Sequence, residues 1–384
     1  MNTREEKYFR QGLREGATLQ NSGAESLQYR IDSLSQALGL PAAEAAKKTV
    51  ADYQRRLEAL PSLTKYPELA GMRECVLTYD QGLAQSSGWG AEGVMIFRNY
   101  LHTMMQAFRS GEKSSGRPPA EHGCTLVYFP DSDRGPLLAN NLDDPWLEGG
   151  FNAPPAWPVA NRAGLSVGAV SNGLHNDEVS DETFPAPVYL MAYEMCGTTG
   201  EVVELLTRFN EFWGPCNFLV ADQNGDSAIV EKSSCRYGLR KSRDGFSATT
   251  AMAAENEEFK KYLWQTRERS LQDRGLDENS ADWTYWKAAE NRSQRLLQML
   301  DDARDNPTFE AIEAIIYDHN GQPDQINLAG EQCHPEETTT NWTLRTAIHV
   351  LNENQTFYSF ADPPRGAHLT PRHRKDFVLD EPIF

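Results

Sequence analysis

Residues 217–231 read NFLVADQNGDSAIVE, two short apolar runs separated by a Gln-Asn-Gly-Asp turn. Asn-Gly between two such runs is a strong signal for a β-hairpin, because both residues accept the left-handed backbone that tight turns between antiparallel strands need. The stretch therefore predicts two neighbouring antiparallel strands and marks this part of the chain as a sheet region.

Similar strand-like runs lie on both sides of this hairpin, at 124–129, 136–141, 164–170 and twice within 342–360. A helical pattern at about 188–212 interrupts them. Apolar residues spaced three and four apart predict several further helices over 5–109 and a charged helical segment at about 255–305. This order predicts an α+β fold, a layered domain that follows a helical N-terminal segment.

Composition excludes several classes of protein. The chain has 384 residues, 39% of them hydrophobic, and a net charge of −18, from 37 Lys and Arg against 55 Asp and Glu. A chain this rich in apolar residues folds into a core, and its negative charge repels phosphate backbones and anionic lipid. We therefore expect no nucleic-acid partner and no membrane partner. The sequence indicates no oligomeric state.

The N-terminus is charged and no apolar signal segment follows it, so we expect a cytoplasmic protein. Six cysteines at wide, irregular spacings predict reduced thiols rather than a disulfide framework or a zinc site. His175, beside Asp177 and Glu178, lacks a second histidine at ligand spacing and is typical of a polar loop. We expect no metal and no cofactor, since no phosphate-binding glycine loop follows a strand either.

Cys124 is the main candidate for chemistry. It stands at the start of a predicted strand, directly after the polar Gly/Pro/Ser-rich loop at 110–120. A backbone cut before it would make it an N-terminal residue whose own α-amine, with a pKa of about 8, could activate the thiol. The alternative is a small buried residue of an edge strand.

The sequence around Cys124 resembles the acyl-coenzyme A:6-aminopenicillanic acid acyltransferase (isopenicillin N acyltransferase)-like family of N-terminal-nucleophile (Ntn) cysteine hydrolases. The segments that carry the resemblance are Gly-Cys-Thr at 123–125, Asn-Asn-Leu-Asp at 140–143, and the runs at 161–174, 217–231 and 342–364. Gly12 and Gly16 are spaced like the opening of the family's pro-segment. The resemblance implies a four-layer αββα sandwich.

It also implies that the precursor cleaves itself between Gly123 and Cys124. Residues 1–123 would form a helical α chain or pro-segment, and residues 124–384 the catalytic domain with a helical insertion at about 255–305. Cys124 would attack the amide or thioester bond of a small N-acyl compound and form an acyl-enzyme. Asp143 would orient the new α-amine, although a turn carboxylate is the alternative. Asn172 would stabilise the oxyanion, although an ordinary turn residue fits as well.

Two residues depart from the family pattern. Thr250 stands where the family has an oxyanion-stabilising asparagine, and His334 stands where it has an arginine after a cysteine. A hydroxyl is a shorter donor than an amide, and the charge of a histidine depends on pH. The rim at 145–158 is a Pro/Gly-rich loop where the family usually carries extra strands.

Other residues carry weaker signals. His122 could assist cleavage or be a solvated loop residue, and the Trp-Thr-Tyr-Trp cluster at 283–286 is typical of a helix packed in the core. The resemblance therefore predicts a self-cleaving amidohydrolase or acyltransferase. The two departures keep open a non-catalytic family member that serves as a binding or structural protein.

Overall fold

The computed structural model describes residues 3–21, 23–59, 69–109, 124–145, 160–172, 188–209, 215–233, 235–242, 244–273, 275–318, 341–353, 355–360, 375–378 and 384. The polar loop at 110–120, most of the rim at 145–158, and the candidate residues Gly123, His122, His175 and His334 lie outside these ranges.

The predicted N-terminal helices are present. They are α1 (Thr3–Asn21), α2 (Gly23–Leu38), α3 (Ala42–Ala59), α4 (Met72–Ser87) and α5 (Gly90–Arg109). Helices α2, α3 and α5 share an apolar cluster of their own, in which Leu34 and Ala45 are completely buried. Helices α1, α3 and α4 also contribute to a second cluster, which they share with residues of the sheets such as Val220.

Helices α1 and α4 pack backbone against backbone. A Cβ atom on Gly12 of α1 would lie 2.1 Å from the carbonyl oxygen of Tyr79, and one on Gly82 of α4 would lie 2.3 Å from that of Phe9. Both distances are impossible for a real side chain, so only glycine permits this approach. The glycine spacing noted in the sequence thus has a packing reason.

Among the described residues, two antiparallel sheets follow these helices. Sheet A has the order β10-β9-β8-β2-β1-β7 and sheet B the order β3-β4-β5-β6. The strands of sheet A are β1 (Thr125–Phe129), β2 (Leu137–Pro145), β7 (Ser247–Thr250), β8 (Asn341–Val350), β9 (Gln355–Phe360) and β10 (Lys375–Val378). Those of sheet B are β3 (Ser166–Ser171), β4 (Cys216–Ala221), β5 (Ser227–Lys232) and β6 (Tyr237–Lys241).

The hairpin predicted from 217–231 is confirmed as β4 and β5. Ala221 pairs with Ser227, and Gly225 in the turn has a φ of 90°. The amide of Gly225 donates to the carbonyl oxygen of Asp222 at 3.2 Å, which closes the turn. The Asn-Gly signal therefore identified both the strands and their connection.

Five further helices of the described chain surround the sheets. They are α6 (Val188–Met195), α7 (Thr199–Arg208), α8 (Glu257–Asp273), α9 (Ala281–Ala303) and α10 (Phe309–Ile316). The single helix predicted at 188–212 is instead two, α6 and α7. Thr198 starts the second one with a capping box, in which its side chain accepts from the Glu201 amide and the Glu201 carboxylate accepts from the Thr198 amide.

Alternating side chains of β1 show the layers. Leu126 and Tyr128 enter a cluster with residues of sheet B such as Leu219, so the two sheets face each other. Val127 and Phe129 point the opposite way, into a cluster with α9 and α10. Because both faces of β1 are covered, the whole strand is buried.

The other face of sheet B is covered in the same way. Phe218, Val220 and Val230 share a cluster with Leu190 of α6 and Leu206 of α7. The layers therefore run helix, sheet, sheet, helix, and the predicted α+β, four-layer αββα architecture is confirmed. None of the helices described here is long and apolar enough to cross a membrane.

The N-terminal helices lie on the α6 side of this sandwich. Arg4 and Tyr8 of α1 both bond the carboxylate of Glu194 in α6, the tyrosine hydroxyl at 2.8 Å. The Tyr189 hydroxyl donates to the buried Glu15 carboxylate at 2.9 Å. These partly buried polar contacts hold α1 against the sandwich.

Candidate functional site

Cys124 directly precedes β1 at one end of the sandwich. Its partly exposed side chain packs against the cluster between the sheets, as do the partly buried Trp264 and Trp283. The thiol sulfur lies 4.0 Å from the backbone carbonyl oxygen of Asp143. The thiol therefore sits between the sheets, at an end where side chains from several elements meet.

Asp143 lies at the end of β2, just after an irregularity in its pairing with β8. Its carboxylate is completely buried on the other face of sheet A. One oxygen accepts from the Thr343 hydroxyl at 2.6 Å, and the other lies 3.4 Å from a guanidinium nitrogen of Arg292 in α9. A buried carboxylate compensated by a cation and a hydroxyl donor is fixed in position.

Strand register explains why Cys124 and Asp143 are neighbours. Thr125 pairs with Asn141 in the antiparallel β1–β2 ladder, so the residues before Thr125 face the residues after Asn141. The start of β1 and the end of β2 are consequently the same end of the sheet. The carboxylate and the thiol lie on opposite faces there, one toward α9 and one toward sheet B.

Thr250 belongs to the Asp143 side of the sheet. It pairs with Thr125 across β7 and β1, and its strand neighbour Ala248 joins Val127 in the cluster under α9. The Thr125 and Thr250 hydroxyls are completely buried and have no hydrogen-bond partner within the described part of the chain. Two buried hydroxyls without a partner beside a fixed carboxylate form a polar pocket next to the start of β1.

Asn172 follows β3 in sheet B and is completely buried. Its amide donates to the side-chain oxygen of Asn217 at 3.2 Å and to the backbone carbonyl oxygen of Lys232 at 2.8 Å. Since an amide group carries two hydrogens, both have an acceptor in this structure. Asn172 therefore fixes the end of sheet B.

Residues 250–253 connect the two sheets beside Cys124. The Ala251 amide donates to the carbonyl oxygen of Cys124, and the Met252 amide to that of Ser171, both at 2.7 Å. Met252 has a φ of 63°, a left-handed conformation that is rare for a residue of its size. The Asn217 side chain donates to the Ala253 carbonyl oxygen at 2.6 Å. Backbone bonds to both sheets thus hold the segment that adjoins the thiol.

The structure brings Cys124, Asp143 and Thr250 to one end of sheet A, with Asn172 at the adjoining end of sheet B. His334 and Gly123 lie outside the described residues. Sequence reasoning missed Arg292, which is buried with Ala289, Leu296 and Leu300 at helical spacing on α9. An arginine within an apolar helical stripe is a signal for a buried ion pair. Asn217 lies in one of the segments that carry the resemblance, but no role was predicted for its side chain.

No family model and no curated protein matches this sequence. Solved structures are similar at 12% identity. A mutant of conjugated bile acid hydrolase from Clostridium perfringens matches with a TM-score of 0.38 over 67% of this chain and 98% of that one. Penicillin V acylase from Agrobacterium tumefaciens matches with a TM-score of 0.35 over 63% of this chain and 75% of that one.

Proposed function

We propose that this chain is an N-terminal-nucleophile amidohydrolase or acyltransferase that cleaves its own backbone between Gly123 and Cys124. One observation carries the proposal: the Cys124 sulfur lies 4.0 Å from the Asp143 backbone, at the strand end where Arg292 and Thr343 fix the Asp143 carboxylate. A thiol at the start of a strand, with a fixed carboxylate on the opposite face of the same strand end, supports activation by a freed α-amine.

The self-cleavage begins with attack of the Cys124 sulfur on the Gly123 carbonyl carbon. The C–N bond breaks as the C–S bond forms, and the nitrogen takes the thiol proton to become a free amine. Water then hydrolyses the thioester, which restores the thiol and leaves a carboxylate on Gly123. In this proposal residues 1–123 become the α chain, and residues 124–384 the chain that begins with the nucleophile.

The same thiol then acts on substrate. The α-amine takes the thiol proton, the sulfur attacks an amide or thioester carbonyl of a small N-acyl compound, and the protonated leaving group departs. Water or an amine accepts the acyl group from the sulfur in the second step. The α-ammonium group donates a hydrogen bond to the Asp143 carboxylate. The Thr250 hydroxyl, buried on the same side of the sheet, is a second acceptor for it.

Two observations favour a second candidate, a chain that keeps this fold as a binding or structural protein. The side chain of Thr250 faces α9 rather than the inter-sheet side that holds the thiol. Both amide hydrogens of Asn172 already have acceptors. Stabilisation of an oxyanion by Asn172 would require it to give up one of these bonds, and one lost donor typically costs about 10²- to 10³-fold in turnover.

Denaturing gel electrophoresis with intact-mass measurement distinguishes the two candidates. The enzyme yields fragments corresponding to residues 1–123 and 124–384, and N-terminal sequencing of the larger one begins at Cys124. The Cys124→Ala variant stays whole. Cys235→Ala is the matched control, because Cys235 is exposed and lies outside the site, and it cleaves like the wild type.

Catalysis is tested on the cleaved protein by incubation with acyl amides and acyl thioesters, followed by peptide mass spectrometry. An acyl mass on Cys124, absent from Cys235, is the expected result. If the wild-type chain stays whole and its Cys124 takes no acyl group, the proposal of an enzyme is contradicted. The second candidate, a binding or structural protein, then stands.

A further inference from the structure

A cavity of about 320 Å³ opens at the edge of the sandwich, and Cys124 is not among the residues that line it. Its walls come from β6, the outer described strand of sheet B, from β7, the outer described strand of sheet A, and from the C-terminal half of α9. A volume of this size lies at the lower end of the range for small-molecule sites, about 300–1,000 Å³.

The apolar part of the cavity forms one continuous wall. Ile229 and Ala248 come from the sheets, Phe246 directly precedes β7, and Leu297 and Leu300 lie one turn apart on α9. The aromatic ring and the branched side chains suit an apolar ligand body of about ten heavy atoms.

The charged part of the cavity carries an excess of cations. Arg240, Lys241 and Arg304 line it, against Glu255 and Asp301. This excess stands out in a chain whose net charge is −18. Most of these charged side chains form ion pairs within the protein. The side chains that are left unpaired decide which ligand charge the cavity accepts.

Two of the cations are neutralised within the protein. Arg240 lies 2.7 Å from the buried Glu231 carboxylate. Arg304 lies 2.6 Å from Asp301 and 3.6 Å from the exposed Asp244. The carboxylate of Glu255 faces Lys260 at 3.9 Å. These ion pairs therefore leave no excess positive charge at Arg240 and Arg304.

Lys241 is different. It is exposed, and within the described part of the chain it has no ion pair. The Nε of Arg304 is buried and has no hydrogen-bond acceptor there either. The Lys241 ammonium, beside the Arg304 guanidinium, is therefore the uncompensated charge of the lining with which a ligand carboxylate can pair.

We propose that this cavity binds small apolar monocarboxylates, with the carboxylate between Lys241 and Arg304 and the apolar body against Phe246, Leu297 and Leu300. Binding does not require the reaction at Cys124, because the lining includes neither Cys124 nor Asp143. The cavity is thus a second small-molecule site on the molecule.

Isothermal titration of the Cys124→Ala variant with phenylacetate tests the proposal, with phenylacetamide and phenethylamine as neutral and cationic ligands of the same shape. Phenylacetate binds, and the other two bind at least about tenfold more weakly, because they lack the charge that the pairing needs. Equal binding of phenylacetamide, or tighter binding of phenethylamine, overturns it.

Two variants locate the binding. Lys241→Gln weakens the binding of phenylacetate by about three- to fivefold, the range of an exposed ion pair. Lys48→Gln, the same charge change on an exposed residue of α3, leaves the affinity unaltered. Leu297→Trp fills the cavity and abolishes binding, with thermal unfolding as the check that it folds. Unchanged affinity in both Lys241→Gln and Leu297→Trp shows that phenylacetate binds elsewhere and contradicts the site.

Discussion

The ion pair between Arg292 and Asp143 compensates a carboxylate that has no contact with water. Removing one partner of a buried pair leaves a charge in a medium of low dielectric, which costs about 3–5 kcal/mol. We expect Arg292→Gln to lower the free energy of unfolding by that amount. Urea denaturation in the Cys124→Ala background, which excludes the proposed self-cleavage, measures it.

Arg55→Gln is the control for this prediction. Arg55 is 63% exposed and pairs with Asp52 one turn away on α3, so its loss should cost under about 1 kcal/mol. Equal losses in the two variants would show that burial of the Arg292 pair contributes nothing to its strength.

Cysteine reactivity provides a second prediction at this scale. Burial raises the pKa of Cys75 to about 11 and that of Cys196 to about 12. Because the thiolate is the reactive form, iodoacetamide at pH 7.5 should modify both at least about tenfold more slowly than the exposed Cys235. Peptide mass spectrometry over time gives the rates, and labelling of Cys75 at the rate of Cys235 would contradict the expected protection.

How much of the site the sequence predicts depends on how far apart along the chain the contacting residues lie. Cys124 and Asp143 lie on consecutive strands, so a strand pattern is enough to bring them together. Arg292 is 149 residues from Asp143 and reaches it only because α9 covers the outer face of sheet A. A contact of that kind depends on the packing of whole layers, which no local pattern encodes.

At the scale of elements, the sequence patterns predict location better than boundaries. The α6–α7 break was missed although Thr198 and Glu201 have the spacing of a capping box and residues 197–201 carry no apolar side chain. Helix α10 and strand β6 were also missed. Strand β6 is short and mostly polar, since it lies at the edge of sheet B, and an edge strand has one side open to water.

The close approach of α1 and α4 predicts the cost of a single methyl group. Gly12→Ala places a Cβ within 2.1 Å of the Tyr79 carbonyl oxygen, so the helices must move apart. We expect a loss of about 1–3 kcal/mol or more, as for other overpacked contacts. Thermal unfolding of the Cys124→Ala background protein measures the change.

Gly200→Ala is the matched control for Gly12→Ala. Gly200 lies in the first turn of α7, and a Cβ atom added there would meet nothing within 4 Å. Because alanine favours helix over glycine, this substitution should be neutral or stabilising by up to about 1 kcal/mol. A Gly12→Ala protein as stable as Gly200→Ala would mean that α1 does not pack on α4 in solution.

For the molecule as a whole, the buried acids of the N-terminal helices make stability depend on pH. Burial raises the pKa of Asp80, from 3.8 to about 6, although it lies 3.4 Å from Arg98 and accepts from Tyr53. Between those two pH values the folded state holds a proton that the unfolded state has lost. The contribution of Asp80 to stability is therefore fully present below about pH 4 and falls as the pH rises to 6.

Asp80→Asn removes this titration. Relative to that variant, the wild-type protein should lose up to about 3 kcal/mol of stability between pH 4 and pH 6.5, since one pKa unit corresponds to about 1.4 kcal/mol. Urea unfolding of both proteins in the Cys124→Ala background at the two pH values gives the difference. A difference that stays constant, or that favours aspartate at the higher pH, would refute the raised pKa.

The contact between the two ends of the described chain has a practical consequence. The Tyr8 and Phe384 rings meet edge to face at 5.2 Å, and the carbonyl oxygen of Phe384 accepts from the Arg162 amide. A short linker between the ends would therefore allow a circular permutant whose translation starts at Cys124. Once the initiator methionine is removed, that protein carries the free amine and thiol from the outset, and the proposed reaction at Cys124 can be tested without the proposed self-cleavage.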